Sequence, residues 1–223
     1  MYHFKVDPAF ANLCPQFCGA AVMCTAQNSE TSASLWNEIN DELAYLQQHF
    51  DTTSIKERSG IKATRQAYRT FGKDPSRYRP ACEQLSRRAI QGKGLYKINT
   101  IVDIVNLLSL HSGYAAGAID MDELQGNTIT LGIGRKDEPY EGIGRGVINI
   151  EHLPVYRDEI GAFATPTSDS TRTMTQLSTK HLLVLINAYD GKQEYLKEAT
   201  EYVQRLLTSY AQASAFELCY FGL

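Results

Sequence analysis

Apolar residues alternate from Tyr2 to Val6, crowd together from Gly19 to Ala26, and then spread to helical spacing at Leu35, Ile39, Leu43 and Leu46. The first pattern predicts a short strand and the second a buried one. The third predicts an amphipathic helix over 31–50 behind a Ser/Thr start. From Ile55 to Thr70 the composition is helical, ending at Gly72, and Asp74-Pro75 makes a turn. Pro80 opens the next helix as its first residue and Gly92 closes it. Asn99 caps a third helix that runs to Ser112, with Gly113 at its end.

Beyond Gly113 the pattern turns to strands: Ala115–Asp120, Asn127–Ile133, Leu153–Arg157, Gly161–Thr165 and Leu182–Tyr189. A long amphipathic helix follows through Tyr195, Ala199, Tyr202, Leu206 and Tyr210, and the tail AFELCYFGL returns as a strand. No stretch reads as a linker. The expectation is a single α+β domain over residues 1–223.

Charge changes the picture. The chain has 22 Lys and Arg against 25 Asp and Glu, yet between Lys56 and Lys97 twelve bases stand among three acids. A stripe containing Arg65, Arg69, Lys73, Arg77, Arg79, Arg87, Arg88 and Lys93 suits a polyanion, whose binding weakens as salt rises. The alternative is a set of solvated helix faces neutralised by acids elsewhere in the fold.

Five cysteines lack the regular spacing of a disulfide scaffold, so we expect a reduced, cytoplasmic protein. Cys14, Cys18 and Cys24 cluster without a paired CxxC or a nearby His, so they are read as packed thiols, with no metal and no cofactor. No apolar run suits a membrane span, and the N-terminus shows no export pattern. GIGR occurs twice, at Gly132–Arg135 and Gly142–Arg145. Either copy suits a phosphate cradle or an ordinary hairpin turn.

Chemistry concentrates on the third helix and the strand after it. Asp103, Asn106 and Ser109 recur every three residues and share a helical face. Gly117 and Ala118 leave room for a substrate near the backbone, and Asp120 ends the strand. Each residue also has a plain reading. Asp103 suits the helix dipole, Asp120 suits a turn, and His111 beside Ser112 has no third orienting group. Asn106 is the hardest to dismiss, since a carboxamide inside an apolar helix needs partners.

These residues resemble the tRNA-editing B-three/B-four domain of the phenylalanyl-tRNA synthetase beta subunit, and in particular its free-standing relatives. The resemblance rests on Val102, Asp103, Asn106, Gly113, Ala118, Ile119 and Asp120. Upstream it rests on Phe71, Gly72, Asp74, Pro75, Tyr78, Arg79, Pro80, Glu83, Arg87 and Arg88. Asp169, Thr171, Thr173 and Thr179 resemble its closing motif. The match implies a β-sandwich-like sheet core with flanking helices. It also implies hydrolysis of a mischarged aminoacyl-tRNA, typically tyrosine on the tRNA for phenylalanine. The partner is then the aminoacylated 3′ end of a tRNA, not DNA. Asn106 would hold the amino acid or the water by its amide, while Asp103, Ser109, Gly117, Ala118, Asp120, Asp169, Thr171 and Thr173 would bind substrate. The chain departs from the synthetase-embedded domains at Gly117, where they carry His, and at Val105, where they carry a hydroxyl residue.

Overall fold

A strict two-residue period in the longest strands decides the architecture. In β2 (Cys18–Thr25), Cys18, Ala20, Val22 and Cys24 join one apolar core, while Ala21 and Met23 join another. In β9 (His181–Ala188), Leu182, Val184, Ile186 and Ala188 take the first core, and Leu183 and Leu185 the second. Strands apolar on both sides must be covered on both sides. The computed structural model, which describes residues 2–222, shows helices on one face and a second sheet on the other.

The chain begins with β1 (His3–Val6), α1 (Pro8–Leu13), β2, α2 (Ala33–His49), α3 (Ser59–Phe71), α4 (Ala81–Ile90) and α5 (Thr100–Ser112). The strands β3 (Ala115–Asp120), β4 (Thr128–Ile133), β5 (Glu141–Gly142), β6 (Gly146–Val147), β7 (Pro154–Arg157) and β8 (Ala162–Ala164) follow. Then come β9, α6 (Gln193–Ala211) and β10 (Ser214–Phe221). One four-stranded sheet has the order β10-β2-β9-β3 and is antiparallel throughout. The other has the order β1-β4-β7-β8, with β1 parallel to β4. The short hairpin β5–β6 stands apart. Among the described residues the fold is mixed α/β, with two four-stranded sheets and six α-helices.

α2, α4, α5 and α6 cover the outer face of the first sheet through Leu35, Cys82, Leu107 and Leu206. Between the sheets lie Phe10, Phe17, Tyr156, Phe163, Tyr189 and Phe221. The cysteine trio divides between these cores: Cys14 joins the inter-sheet core, and Cys18 and Cys24 the helical one. Burial pushes the Cys14 and Cys18 thiols up to about 11 and the Cys24 thiol to about 12, so they are inert packing groups.

Two expectations are corrected. The helix predicted over 55–70 is broken at Arg58, which separates a 3-10 turn, Ser54–Glu57, from α3. The cause is tertiary. Arg58 turns extended and donates to the carbonyls of Leu110 and His111, both at 2.6 Å, so it satisfies the open end of α5. Pro80 is the N-cap of α4, not its first turn. α1 was not anticipated, although Asp7-Pro8 announces it: Asp7 accepts from Ala9 N–H, and Pro8 occupies the first helical position.

Candidate functional site

β3 is an edge strand, and its open side forms the floor of a cleft. Asn99 caps α5 by accepting from Val102 N–H at 3.0 Å, and Gly113 ends the helix in the left-handed region at φ 74°. The chain then reverses into β3, which brings Asn106 over Ala116, Gly117 and Ala118. The far wall is the loop 165–175. Thr165 ties that loop by accepting from Ser168 N–H and donating to the Ser168 carbonyl. A bridge from Met174 to Ile119 pins its end to β3. The resulting hollow holds about 300 Å³, walled largely by Val102, Val105, Ala116, Ile143 and Met174.

Of the residues expected to act on substrate, Asn106, Gly117, Ala118 and Asp169 line this cleft. The Asn106 carboxamide lines the hollow and hydrogen-bonds to no other described residue. Asp169 enters from the opposite wall. A Cβ on Gly117 would stand 2.6 Å from Asp169 Oδ2, so the glycine is what admits the carboxylate. The residue is part-exposed, but its carboxyl end is sunk against the strand. Burial pushes it up to about 7, against the lowering pull of the Ala118 N–H.

The other expected residues are not in the cleft. Asp103 is buried, accepts from the Thr31 hydroxyl and Ile98 N–H, and therefore holds the segment ahead of α5. Burial raises its carboxyl above the usual range. The Ser109 hydroxyl is buried and accepts from Ala116 N–H, which locks α5 to β3. Asp120 accepts from Thr179 Oγ1 and Asp122 N–H at the strand end. Thr171 and Thr173 form a 3-10 turn outside the lining, with the Thr173 hydroxyl buried and unpartnered among the described residues. His111 turns to Glu42 at 3.0 Å and stacks on Tyr202, away from Ser112. Sequence reading missed Thr165, Ser168 and Thr175 as polar members of the wall. The hydroxyl-rich run ATPTSD was the available signal for Thr165 and Ser168.

The basic stripe is sorted by burial. Arg65 is buried and donates to Glu83 Oε2 at 2.8 Å. Lys73 is buried and donates to the carbonyls of Asn149 and Glu151 while lying over the Tyr78 ring. Neither is a surface contact for a phosphate, because folding has already used both. Arg79, Arg87 and Arg88 surround a separate shallow hollow with Gln84 and Gln91. Arg69, Arg77 and Lys93 are exposed outside both hollows. The two hollows share α4, whose Ala81 reaches the cleft. They also share the β5–β6 turn: Ile143 lines the cleft, and Arg145 donates to Gln84. The second GIGR is thus a hairpin tip. At the end of the first, Arg135 N–H is taken by Glu138. A larger hollow, about 760 Å³, has a different lining, and its Arg157 and Arg172 are matched to Glu138 and Asp158.

The model of the B3/4 domain family matches residues 63–219. The chain belongs to the B3/4 domain family. Its structure is similar to an N-terminal fragment of the phenylalanyl-tRNA synthetase beta-subunit from Pyrococcus horikoshii, with a TM-score of 0.50 and 13% sequence identity. The match covers 97% of this chain and 50% of that one, so this B3/4 protein spans about half the length of the fragment it resembles. No curated protein sequence matches it. Among the described residues, no helix is long and apolar enough to cross a membrane.

Proposed function

We propose that this B3/4 protein binds the aminoacylated 3′ end of a tRNA and hydrolyses the ester when the amino acid is wrong. The observation that carries the reading is the free Asn106 carboxamide in an apolar cleft that shares α4 with an arginine-lined hollow. An aminoacyl ester is already activated, so its hydrolysis asks mainly for a placed water and donors for the developing oxyanion. The Asn106 amide supplies a donor and an acceptor. Gly117 admits the Asp169 carboxyl, and the small side chain of Ala118 leaves the ester room beside the strand. The apolar walls of the cleft take the amino-acid side chain, and the size of the hollow acts as a sieve. The vicinal hydroxyl of the terminal ribose serves as the proton relay, which also makes the site prefer RNA.

Arg79 and Arg88 hold the phosphates of the acceptor end, while Arg87 is tied to Glu83. A second reading, a module that binds RNA without chemistry, uses the same arginines and leaves the cleft idle.

The test is release of labelled amino acid from a panel of mischarged tRNAs. The deacylase reading requires cleavage of at least one ester faster than in buffer. It also requires Asn106→Ala to abolish that cleavage with tRNA affinity nearly unchanged, and Arg79→Ala with Arg88→Ala to weaken binding. Cleavage of no ester, with tRNA still bound, leaves the module. A substrate ending in a deoxyribose that reacts at the same rate would remove the hydroxyl relay.

A further inference from the structure

Among the described residues, the acids whose carboxyl ends are sunk into the fold are matched, with one exception. Glu83 has Arg65 and Arg87, Glu138 has Arg157, and Asp158 has Arg172. Asp103 and Asp120 each take a threonine hydroxyl. Asp169 has no cation beside it, and only the nearby Ala118 N–H pulls its carboxyl down. Its surroundings in the cleft are mainly aliphatic.

The placement is enforced by the backbone. Ile143 N–H donates to the Asp169 carbonyl at 3.0 Å, Ser170 N–H donates to the Phe163 carbonyl at 2.9 Å, and Gly142 bridges to Ser170. The absent side chain at Gly117 is the space the carboxyl occupies. A carboxylate fixed in an apolar hollow without a counter-ion is costly, and a bound cation relieves that cost.

We propose that Asp169 is the receptor for the primary ammonium group of the aminoacyl moiety, so that the cleft admits esters of free amino acids and refuses N-acylated ones. The inference rests on the deacylase reading for its substrate. Of the groups such an ester offers (ribose hydroxyls, carbonyl, amino-acid side chain and amine), only the amine is cationic in every member of the class. An ammonium on Asp169 also orients the ester. With the amine fixed at one wall and the Asn106 amide at the other, the carbonyl carbon is held between them. A charged hydrogen bond of this kind is worth a tenfold or greater change in affinity. Acetylation removes the charge and adds bulk where the carboxylate stands.

The experiment pairs each substrate with its N-acetyl form. Wild-type protein should cleave the free aminoacyl-tRNA with a KM roughly tenfold or more below that of the acetylated one. Asp169→Asn should erase that preference mainly through KM. Equal handling of both forms by the wild type overturns the proposal. So does a variant that loses kcat equally on both while the preference survives, since Asp169 would then act on the water.

Binding is measured separately, by calorimetry, with 3′-aminoacylamino-3′-deoxyadenosines of alanine, valine, phenylalanine and tyrosine, which cannot be hydrolysed, each beside its N-acetyl form. Tighter binding of the free amine by the wild type supports the ammonium receptor even if no ester is cleaved, in which case only the deacylase reading falls. No preference for the free amine in any of the four overturns the receptor whatever the cleavage assays show. These wild-type comparisons need no variant to fold.

Discussion

Glu83 accepts Arg65 through Oε2 and Arg87 through Oε1, each at 2.8 Å, and is itself fully buried. One carboxylate therefore clamps α3 to α4 and ties down two arginines of the apparent basic stripe. Arg65 also donates to the Pro75 carbonyl and the Ser76 hydroxyl, so it holds the 74–76 turn as well. A charged group removed from such a set leaves its partner buried and unpaired, at a cost of about 3–5 kcal/mol. Glu83→Ala is expected to lower unfolding free energy by that order, as read by urea denaturation. Replacing Arg65 and Glu83 together by methionine and leucine should recover much of the loss. If Glu83→Ala unfolds at the wild-type midpoint, the clamp is not structural.

The same clamp divides the arginines in an RNA titration. Removing one arginine that pairs with a phosphate should reduce the slope of log affinity against log salt by about 0.7–0.9. Arg79→Ala and Arg88→Ala should each show that change, because both line the open hollow on α4. Arg65→Ala should leave the slope of the folded protein unchanged. A slope that moves equally for Arg65 and Arg88 would place the RNA elsewhere.

Helices and strands were visible in the chain because their apolar periods are strong: β2 and β9 are buried on both faces, and Asn99 and Gly113 bracket α5. The break at Arg58 was not visible, because its cause is the open end of a helix some fifty residues away. The site divides along the same line. Asn106, Gly117 and Ala118 lie on elements whose facing follows from local period. Asp103 and Ser109 share Asn106's spacing, yet each is claimed by a partner outside α5: Thr31 for one and the β3 backbone for the other. Helical spacing fixes a face. It does not say which residues on that face are already hydrogen-bonded. Burial of Arg65 and Lys73 was hidden for the same reason, since charge counts carry no depth.

Gly117 and Asp169 form a second dependent pair. Alanine at 117 puts a methyl 2.6 Å from Asp169 Oδ2, so the Asp169 carboxyl has to move off the strand. Overpacking of this kind costs about 1–3 kcal/mol. Gly117→Ala should therefore destabilise by that order, and Gly117→Ala with Asp169→Ala should recover part of the loss, a coupling that a double-mutant cycle measures directly. Strict additivity of the two changes would mean that the carboxyl does not rest against the strand.

Asp169 also sets a pH dependence with a defined sign. Its carboxyl stands at about 7 in the folded protein, held up by burial, against about 3.9 in an unfolded chain. The groups around it are the Ala118 N–H, which pulls the value down, and the phenols of Tyr140 and Tyr156, which remain neutral across this range and are themselves pushed up. Between these two values the folded state keeps a proton that the unfolded state has released. Stability from this group is thus complete below about pH 4 and declines as pH rises to about 7, by up to roughly 1.4 kcal/mol per pH unit. Arginine partners hold Asp158 and Glu138 below the usual range, and these act with the opposite sign at lower pH. Subtracting the Asp169→Asn profile isolates the term. Urea midpoints measured from pH 4 to 8 should show the variant gaining on the wild type up to about pH 7 and holding its lead above it. Parallel profiles across that window would mean that Asp169 titrates as an ordinary solvated carboxylate, and the cleft would then offer no unmatched charge.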